Sequence, residues 1–276
     1  PGIKIYSVVK ANLAGLLKST GLVDKIFVKE KSFVKRLKLI KDIKNENIKT
    51  AILFSESPET LITAFLSNIQ TRFGFKTSSL GFLLTHKADK QGVPSLSNNI
   101  RLAQLAGIKD IKDDYVDLIP VDTNADATVS QWLVSKDIRK KEFIIISAGA
   151  SPKRRNKCLR KDVWIETIDR LTEKNTKVVV VCAKWEKEYV QNILDKCANK
   201  AELFIPQEGL TELAALIHQS KLFVGIDSGV MHLSASLKIK CIALFGSTDP
   251  CQIGPQPLSS HVIIKKKNIN NIDSDD

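Results

Sequence analysis

Residues 223–255 read FVGIDSGVMHLSASLKIKCIALFGSTDPCQIGP, and this stretch decides the fold. Residues 223–226 are a short apolar run of β-formers, which predicts a buried strand. Asp227-Ser228-Gly229 follows as a turn. Residues 230–237, with Met231, Leu233, Ala235 and Leu237 among small residues, predict a helix. A second apolar run at 241–245 predicts another strand, and it ends in Gly246-Ser247-Thr248-Asp249-Pro250. A strand, polar turn, helix, strand and polar loop bring backbone N–H groups and the positive end of a helix dipole to one sheet edge. That is an anion site at the C-terminal edge of a parallel sheet, where open α/β folds bind ligands. Asp227 and Ser228 are equally ordinary helix caps and Gly229 an ordinary turn former, so local capping also accounts for them.

The ordered pattern D-S-G-x-M-H-L-x-A-x-L, then A-L-F-G-x-T-D-P and G-P, closely resembles the signature of glycosyltransferase family 9. These are the bacterial heptosyltransferases that build the lipopolysaccharide inner core. Lys240 stands where the family usually has a proline, and Ser247 replaces another in the last loop.

The chain has 276 residues, which at roughly 100–200 residues per domain suggests two domains. Its 43% hydrophobic and 26% charged residues are ordinary for a globular protein with a core. No apolar stretch approaches the ~20 residues of a membrane helix, and no signal peptide is recognisable. Cys158, Cys182, Cys197, Cys241 and Cys251 have no C-x-x-C spacing and an odd count, so they read as reduced thiols of a cytoplasmic protein. The net charge of +12 is spread over lysine-rich helices. No recognition helix, zinc spacing or aromatic RNA-binding stripe accompanies it, so nucleic acid is not the expected partner. An anionic lipid head group or phosphorylated glycan at an inner-membrane surface suits the charge. The chain opens Pro1-Gly2-Ile3-Lys4-Ile5 directly on a strand, without methionine, and reads as part of a longer protein.

Alternating strands and helices run through the first half and predict parallel βαβ units. Strands are expected at 3–9, 23–28, 50–54 and 72–75, with helices at 12–18, 33–43, from Pro58 to about residue 69, and 98–106. In the second of these helices Phe33, Leu37, Ile40 and Ile43 are expected on one buried face. This half resembles the family's N-terminal domain more loosely, through Asn99-Ile100-Arg101-Leu102-Ala103-Gln104-Leu105-Ala106-Gly107-Ile108. The family's first strand, glycine-containing loop and helix have no counterpart here. That loop carries an aspartate thought to be the general base, so the base is expected upstream of Pro1. Asp24, Asp42 and Glu56 are poor stand-ins, Glu56 reading mainly as a helix start.

A turn-rich segment at 118–124 precedes a helix at 125–135, and the domain boundary is placed near Arg139. The expected domains are 1–138, an incomplete acceptor-side Rossmann-like domain, and 139–268, a nucleotide-sugar-binding one, followed by a loose polar tail at 269–276. In the second domain the strand at 143–147 runs into Ala148-Gly149-Ala150-Ser151 and a basic loop. A solvated loop and an anion site are both open readings of that charge run. The resemblance implies that a G-A-S-like turn, here with Ser151, and a lysine before the next helix contact the donor's diphosphate. The register to Trp164 places that lysine at Lys157, or at Lys153 if the loop shifts the alignment. A lysine there would stabilise the leaving diphosphate electrostatically. The resemblance also implies that Glu186 holds the nucleotide ribose, in a turn that lacks the family's glycines; a first-turn glutamate needs no ligand. Asp227, Ser228 and Gly229 complete the implied donor site. His232, in the first turn of the following helix, would donate to a phosphate or sugar oxygen, or bond within the turn. His218 reads as structural, and His86 and His261 show no partner pattern. Asp273-Ser274-Asp275 has the D-x-D letters of metal-dependent glycosyltransferases but reads as chance in a polar tail.

The resemblance implies an α/β GT-B fold, two Rossmann-like domains facing across a cleft. It implies an inverting, metal-independent glycosyltransferase without a cofactor, moving heptose from ADP-heptose to a Kdo- or heptose-bearing lipid A acceptor. A monomer, cytoplasmic and compatible with peripheral association at the inner membrane, is expected. Two other readings stay open: a nucleotide-sugar-binding module without catalysis, and another nucleotide-sugar enzyme of this fold such as an epimerase.

Overall fold

The computed structural model describes residues 2–30, 32–92, 94–149 and 157–276. The chain divides into two compact units, Pro1–Asp114 and Tyr115–Asp276.

In the first unit β1 (Tyr6–Lys10), α1 (Ala11–Ser19) and β2 (Lys25–Lys29) form a parallel βαβ unit. The chain continues through α2 (Phe33–Asn45), β3 (Thr50–Ile52), α3 (Pro58–Leu66), β4 (Thr71–Phe75), β5 (His86–Ala88) and α4 (Ser95–Leu105). The order β3-β4-β5 is parallel throughout. Ser57 starts α3: its hydroxyl accepts from the Thr60 amide at 3.4 Å, and Pro58 and Glu59 occupy the first turn. Phe27, Leu39, Ile43, Leu53 and Leu61 share one core, so β2, α2, β3 and α3 are packed together. The buried face of α2 differs from the expected one. Leu39 and Ile43 are buried, whereas Phe33 is 72% and Leu37 50% exposed. Arg36, Leu39, Ile40 and Ile43 form the half-buried and buried i, i+3, i+4, i+7 stripe, with Asp42 half-buried beside it. Leu39 and Ile43 on that stripe pack into the core, and Arg36 pairs with Glu59 on α3 at 3.1 Å along its edge. The strand β5 was not expected; its polar sequence is held by pairing with β4 and by the His86 ring stacked on Phe73 at 4.5 Å.

The second unit runs α5 (Thr123–Ser135), β6 (Phe143–Ser147), α6 (Lys161–Glu173), β7 (Lys177–Val181), α7 (Lys187–Leu194), β8 (Glu202–Phe204), α8 (Leu210–Gln219), β9 (Leu222–Ile226), α9 (Gly229–Ser236), β10 (Cys241–Phe245), α10 (Pro250–Ile253) and β11 (Val262–Lys265). Among the described residues its sheet has the order β11-β10-β9-β6-β7-β8, with every neighbouring pair parallel. This is the Rossmann order, and the chain reverses its direction of spread between β6 and β9. Burial on both faces explains the near-continuous apolar runs FIIIS and KVVVV. Trp164, Ile168, Val190 and Ile193 cover one face of the sheet.

The division at Tyr115 lies earlier than the expected boundary near Arg139, because α5 packs on α8. Val129 and Leu133 are buried, and the Gln219 side chain donates to Asp126 Oδ1 at 2.7 Å and Ser130 Oγ at 3.1 Å. The segment 269–276, expected as a loose tail, is also packed. Ile269 and Ile272 are each 2% exposed and belong to the main core. A Cβ on Gly246 would stand 2.8 Å from Ile269 Cβ and 2.9 Å from its amide nitrogen, so glycine permits the tail to cross the end of β10.

Candidate active site

The strands on either side of the reversal, β6 and β9, end in register, with Ser147 opposite Gly225. Past these ends lie Ala148-Gly149 on one side and Asp227-Ser228-Gly229 on the other. Ser228 is the N-cap of α9; its hydroxyl accepts from the Met231 amide at 3.4 Å. The Asp227 amide donates to Leu244 O at 3.2 Å, which ties the turn to β10. A Cβ on Gly229 would meet no described residue within 4 Å, which leaves the first turn of α9 uncovered by the described residues. The first N–H groups of α9 and its dipole face the edge where ligands of this topology bind.

Lys157 and Asp227 are brought together at this edge as a hydrogen-bonded ion pair, with side chains only 14% and 9% exposed. Ser151 and Lys153 lie outside the described residues. Glu186 is on the same side of the sheet, past β7. Its Oε2 accepts from the Ala183 amide at 2.9 Å, which serves the turn of residues 184–186. A Cβ on Gly149 would stand 2.7 Å from the Glu186 carboxyl carbon, so the bare backbone of Gly149 lets the carboxylate lie against the end of β6. Glu186 thus performs the first-turn structural role open to it, with Oε1 making no hydrogen bond to a described residue.

His232 lies beside the ion pair, and its ring meets a partner that the sequence does not suggest. Tyr115 Oη is 2.7 Å from His232 Nδ1 and also receives the Gln256 amide at 3.0 Å. Burial holds the imidazole below its ordinary range, with Asp227 opposing and Lys157 reinforcing that shift. Burial also pushes the Tyr115 phenol up to about 12.

The other candidates are engaged elsewhere. In the first unit Glu56 accepts from the Lys90 ammonium and the Thr77 hydroxyl. Lys90 and then Thr77 hold its carboxyl below the usual range, which weakens it as a base. Asp24 Oδ2 accepts from the Ile5 amide at 2.7 Å, and Asp42 lies within α2. The carbonyl of His218 accepts from Lys141, and His261 Nδ1 accepts from the Cys241 amide at 3.1 Å. Asp273 pairs with Arg160 at 2.9 Å and Asp275 with Arg170 at 2.5 Å, so the D-x-D carboxylates fasten the C-terminal segment to α6 and the residue before it. None of the five cysteines is in a disulfide; burial pushes Cys182 up to about 11 and Cys241 up to about 12. Among the described residues no three His, Cys, Asp or Glu side chains are grouped as metal ligands, and no helix is long and apolar enough to cross a membrane.

A family model described as glycosyltransferase family 9 (heptosyltransferase) matches residues 36–274. Lipopolysaccharide heptosyltransferase 3 of Escherichia coli is 28% identical over 60% of this chain, and the chain spans about half of that protein, 47%. Lipopolysaccharide heptosyltransferase 1 of Campylobacter coli is 24% identical over 89% of this chain and 76% of its own length. The structure of Escherichia coli ADP-heptose lipopolysaccharide heptosyltransferase II superposes with a TM-score of 0.80 at 17% identity, covering 100% of this chain and 87% of that one. This likeness establishes the expected α/β GT-B fold class.

Proposed function

The chain belongs to glycosyltransferase family 9, and from that premise and the geometry of its second unit we propose that it transfers a heptose from ADP-heptose to a Kdo- or heptose-bearing lipid A acceptor. Transfer inverts the anomeric carbon and uses no metal ion. The observation that carries this reading is the Lys157–Asp227 pair near the N-terminus of α9, at the switch point of a Rossmann sheet.

The nucleotide diphosphate lies over Gly229, where backbone N–H groups and the helix dipole favour negative charge. Lys157 turns from Asp227 toward the diphosphate, and Asp227 keeps the ammonium placed when the site is empty. Glu186 Oε1 accepts from a ribose hydroxyl. The acceptor hydroxyl attacks the anomeric carbon through an oxocarbenium-like state, the new C–O bond forming as the bond to the β-phosphate oxygen breaks. The hydroxyl proton passes to a general base, and ADP departs with its added charge held by Lys157 and α9. No described residue is assigned the base. Glu56, tied to Lys90 and Thr77, is unsuited to it.

That last observation also favours a second reading, a nucleotide-sugar-binding module without catalysis. The test is to incubate the chain with ADP-heptose and Kdo-bearing lipid A in excess chelator and follow both by mass spectrometry. The proposal expects acceptor gaining heptose in step with ADP release, and the new linkage inverted relative to the donor. Bound but unreacted ADP-heptose supports the binding module. An isomerised sugar nucleotide formed without acceptor supports an epimerase.

A further inference from the structure

We propose that Tyr115 is a positioning residue that fixes the tautomer of His232, making Nε2–H a standing donor toward the anionic part of the bound nucleotide. The inference rests on the nucleotide-site reading of the β6–β9 edge.

Hydrogen-bond accounting leads to it. The Tyr115 hydroxyl accepts the Gln256 amide proton at 3.0 Å. Its own proton needs an acceptor, because a partly buried hydroxyl left unpaired is costly. Among the described residues the acceptor within reach is His232 Nδ1, at 2.7 Å. The rings meet edge-on, with centroids 5.8 Å apart and planes at 71°, which brings the hydroxyl to the ring edge. With Nδ1 accepting, a neutral imidazole carries its proton on Nε2. Burial favours the neutral ring, and the phenol, pushed up to about 12, stays a donor at neutral pH.

The rest of the ring's surroundings give the donor a use. Its electrostatic neighbours are Asp227 and Lys157, the ion pair at the proposed diphosphate position. Nε2 makes no hydrogen bond to a described residue. A neutral donor there adds an N–H to the anion site without adding a second cation next to Lys157. It also has no acceptor lone pair turned toward the phosphate. The Gln256 amide orients the tyrosine, so three distant parts of the unit, around residues 115, 232 and 256, define one proton position.

The experiment uses the full chain labelled with 15N. Long-range 1H–15N spectra of the imidazoles are recorded between about pH 6 and 8, with and without ADP, and ADP affinity is measured in parallel. The expected spectrum of the neutral ring places the His232 proton on Nε2. In Tyr115→Phe the pattern moves toward a tautomer mixture, and ADP binds roughly tenfold more weakly, the loss of about one hydrogen bond. His232→Gln, whose side-chain amide reaches the Nε2 position, should retain more affinity than His232→Asn. This arm does not depend on how well the tyrosine variant folds. A proton on Nδ1 in the unaltered chain overturns the proposal, as does a Tyr115→Phe spectrum and affinity equal to the original. If the Nε2–H pattern is present but ADP does not bind at all, the nucleotide-site reading fails and takes the ligand role with it, while the tautomer assignment stands.

Discussion

Lys157 and Asp227 lie 70 residues apart in the chain and meet in a nearly buried ion pair at the point where the sheet reverses. Asp227 directly follows β9, and Lys157 stands four residues before α6. A charge pair in this position stabilises the fold only while both partners are present, because either charge alone is left desolvated. Lys157→Ala and Asp227→Ala should each cost about 3 kcal/mol, read by chemical denaturation. Lys157→Met combined with Asp227→Leu should recover most of that stability yet bind no nucleotide. Recovery of ADP binding in this double variant would show that the pair is structural only.

Glu186 and Gly149 make a second dependent pair. An added Cβ at 149 overlaps the Glu186 carboxyl group, which is the movable end of a flexible side chain. Gly149→Ala is therefore expected to displace the carboxylate from the Ala183 amide, at a cost of about 1 kcal/mol. ADP affinity should fall in Gly149→Ala and fall no further when Glu186→Ala is added. Additive losses in calorimetric titration would contradict this coupling.

The C-terminal segment separates packing from charge. Ile269 is 2% exposed and rests against Gly246, so Ile269→Ala should cost roughly 2–5 kcal/mol in thermal or denaturant unfolding. Asp273→Asn and Asp275→Asn break exposed ion pairs and should cost less than about 1 kcal/mol each. Neither should change ADP affinity or its dependence on divalent metal. A metal-dependent loss in Asp273→Asn would reinstate the D-x-D reading.

Stability should also fall toward acid. Burial depresses the folded values of His232 and His261, so the unfolded chain takes up protons first as pH drops through the ordinary imidazole value of 6.5. Stability is then fully present above that value and declines below it, toward the lower folded values. The thermal midpoint at about pH 5.5 should be below that at about pH 7.5, and His232→Gln with His261→Gln should flatten the difference. An unchanged slope in that double variant would assign the acid loss to other groups.

The second unit was largely legible because its signals are local. Buried parallel strands read as continuous apolar runs, and the turns between them carry caps. Asp227, Ser228, Gly229 and His232 follow a buried apolar strand and could be placed at the C-terminal edge from the local pattern, whereas Lys157 and Glu186 were singled out only through the resemblance to glycosyltransferase family 9. What escaped is what depends on distant partners. Tyr115 has no local signal, since the residue it contacts is 117 positions away. The helix α5 reads like any amphipathic segment, and its place against α8 is set by the distant Gln219 side chain and by the burial of Val129 and Leu133. The tail looked loose because Ile269 and Ile272 sit singly among polar residues, and their burial comes from a groove made by Gly246 and the core beneath it. On α2 the expected stripe of Phe33, Leu37, Ile40 and Ile43 gives way to one on which Leu39 and Ile43 are buried, a rotation set by long-range packing against Phe27, Leu53 and Leu61.

The proposed function requires the β6–β9 edge to bind a nucleoside diphosphate. The direct test is calorimetric titration of the full chain with ADP, with UDP, GDP and TDP alongside, repeated with ADP on Lys157→Ala and Gly229→Trp. Preferential ADP binding is expected, lost when the lysine is removed and when an indole is placed over the first turn of α9. Binding of another nucleotide in preference to ADP would discard ADP-heptose as the donor. ADP binding untouched by both substitutions would place the nucleotide elsewhere and contradict the site.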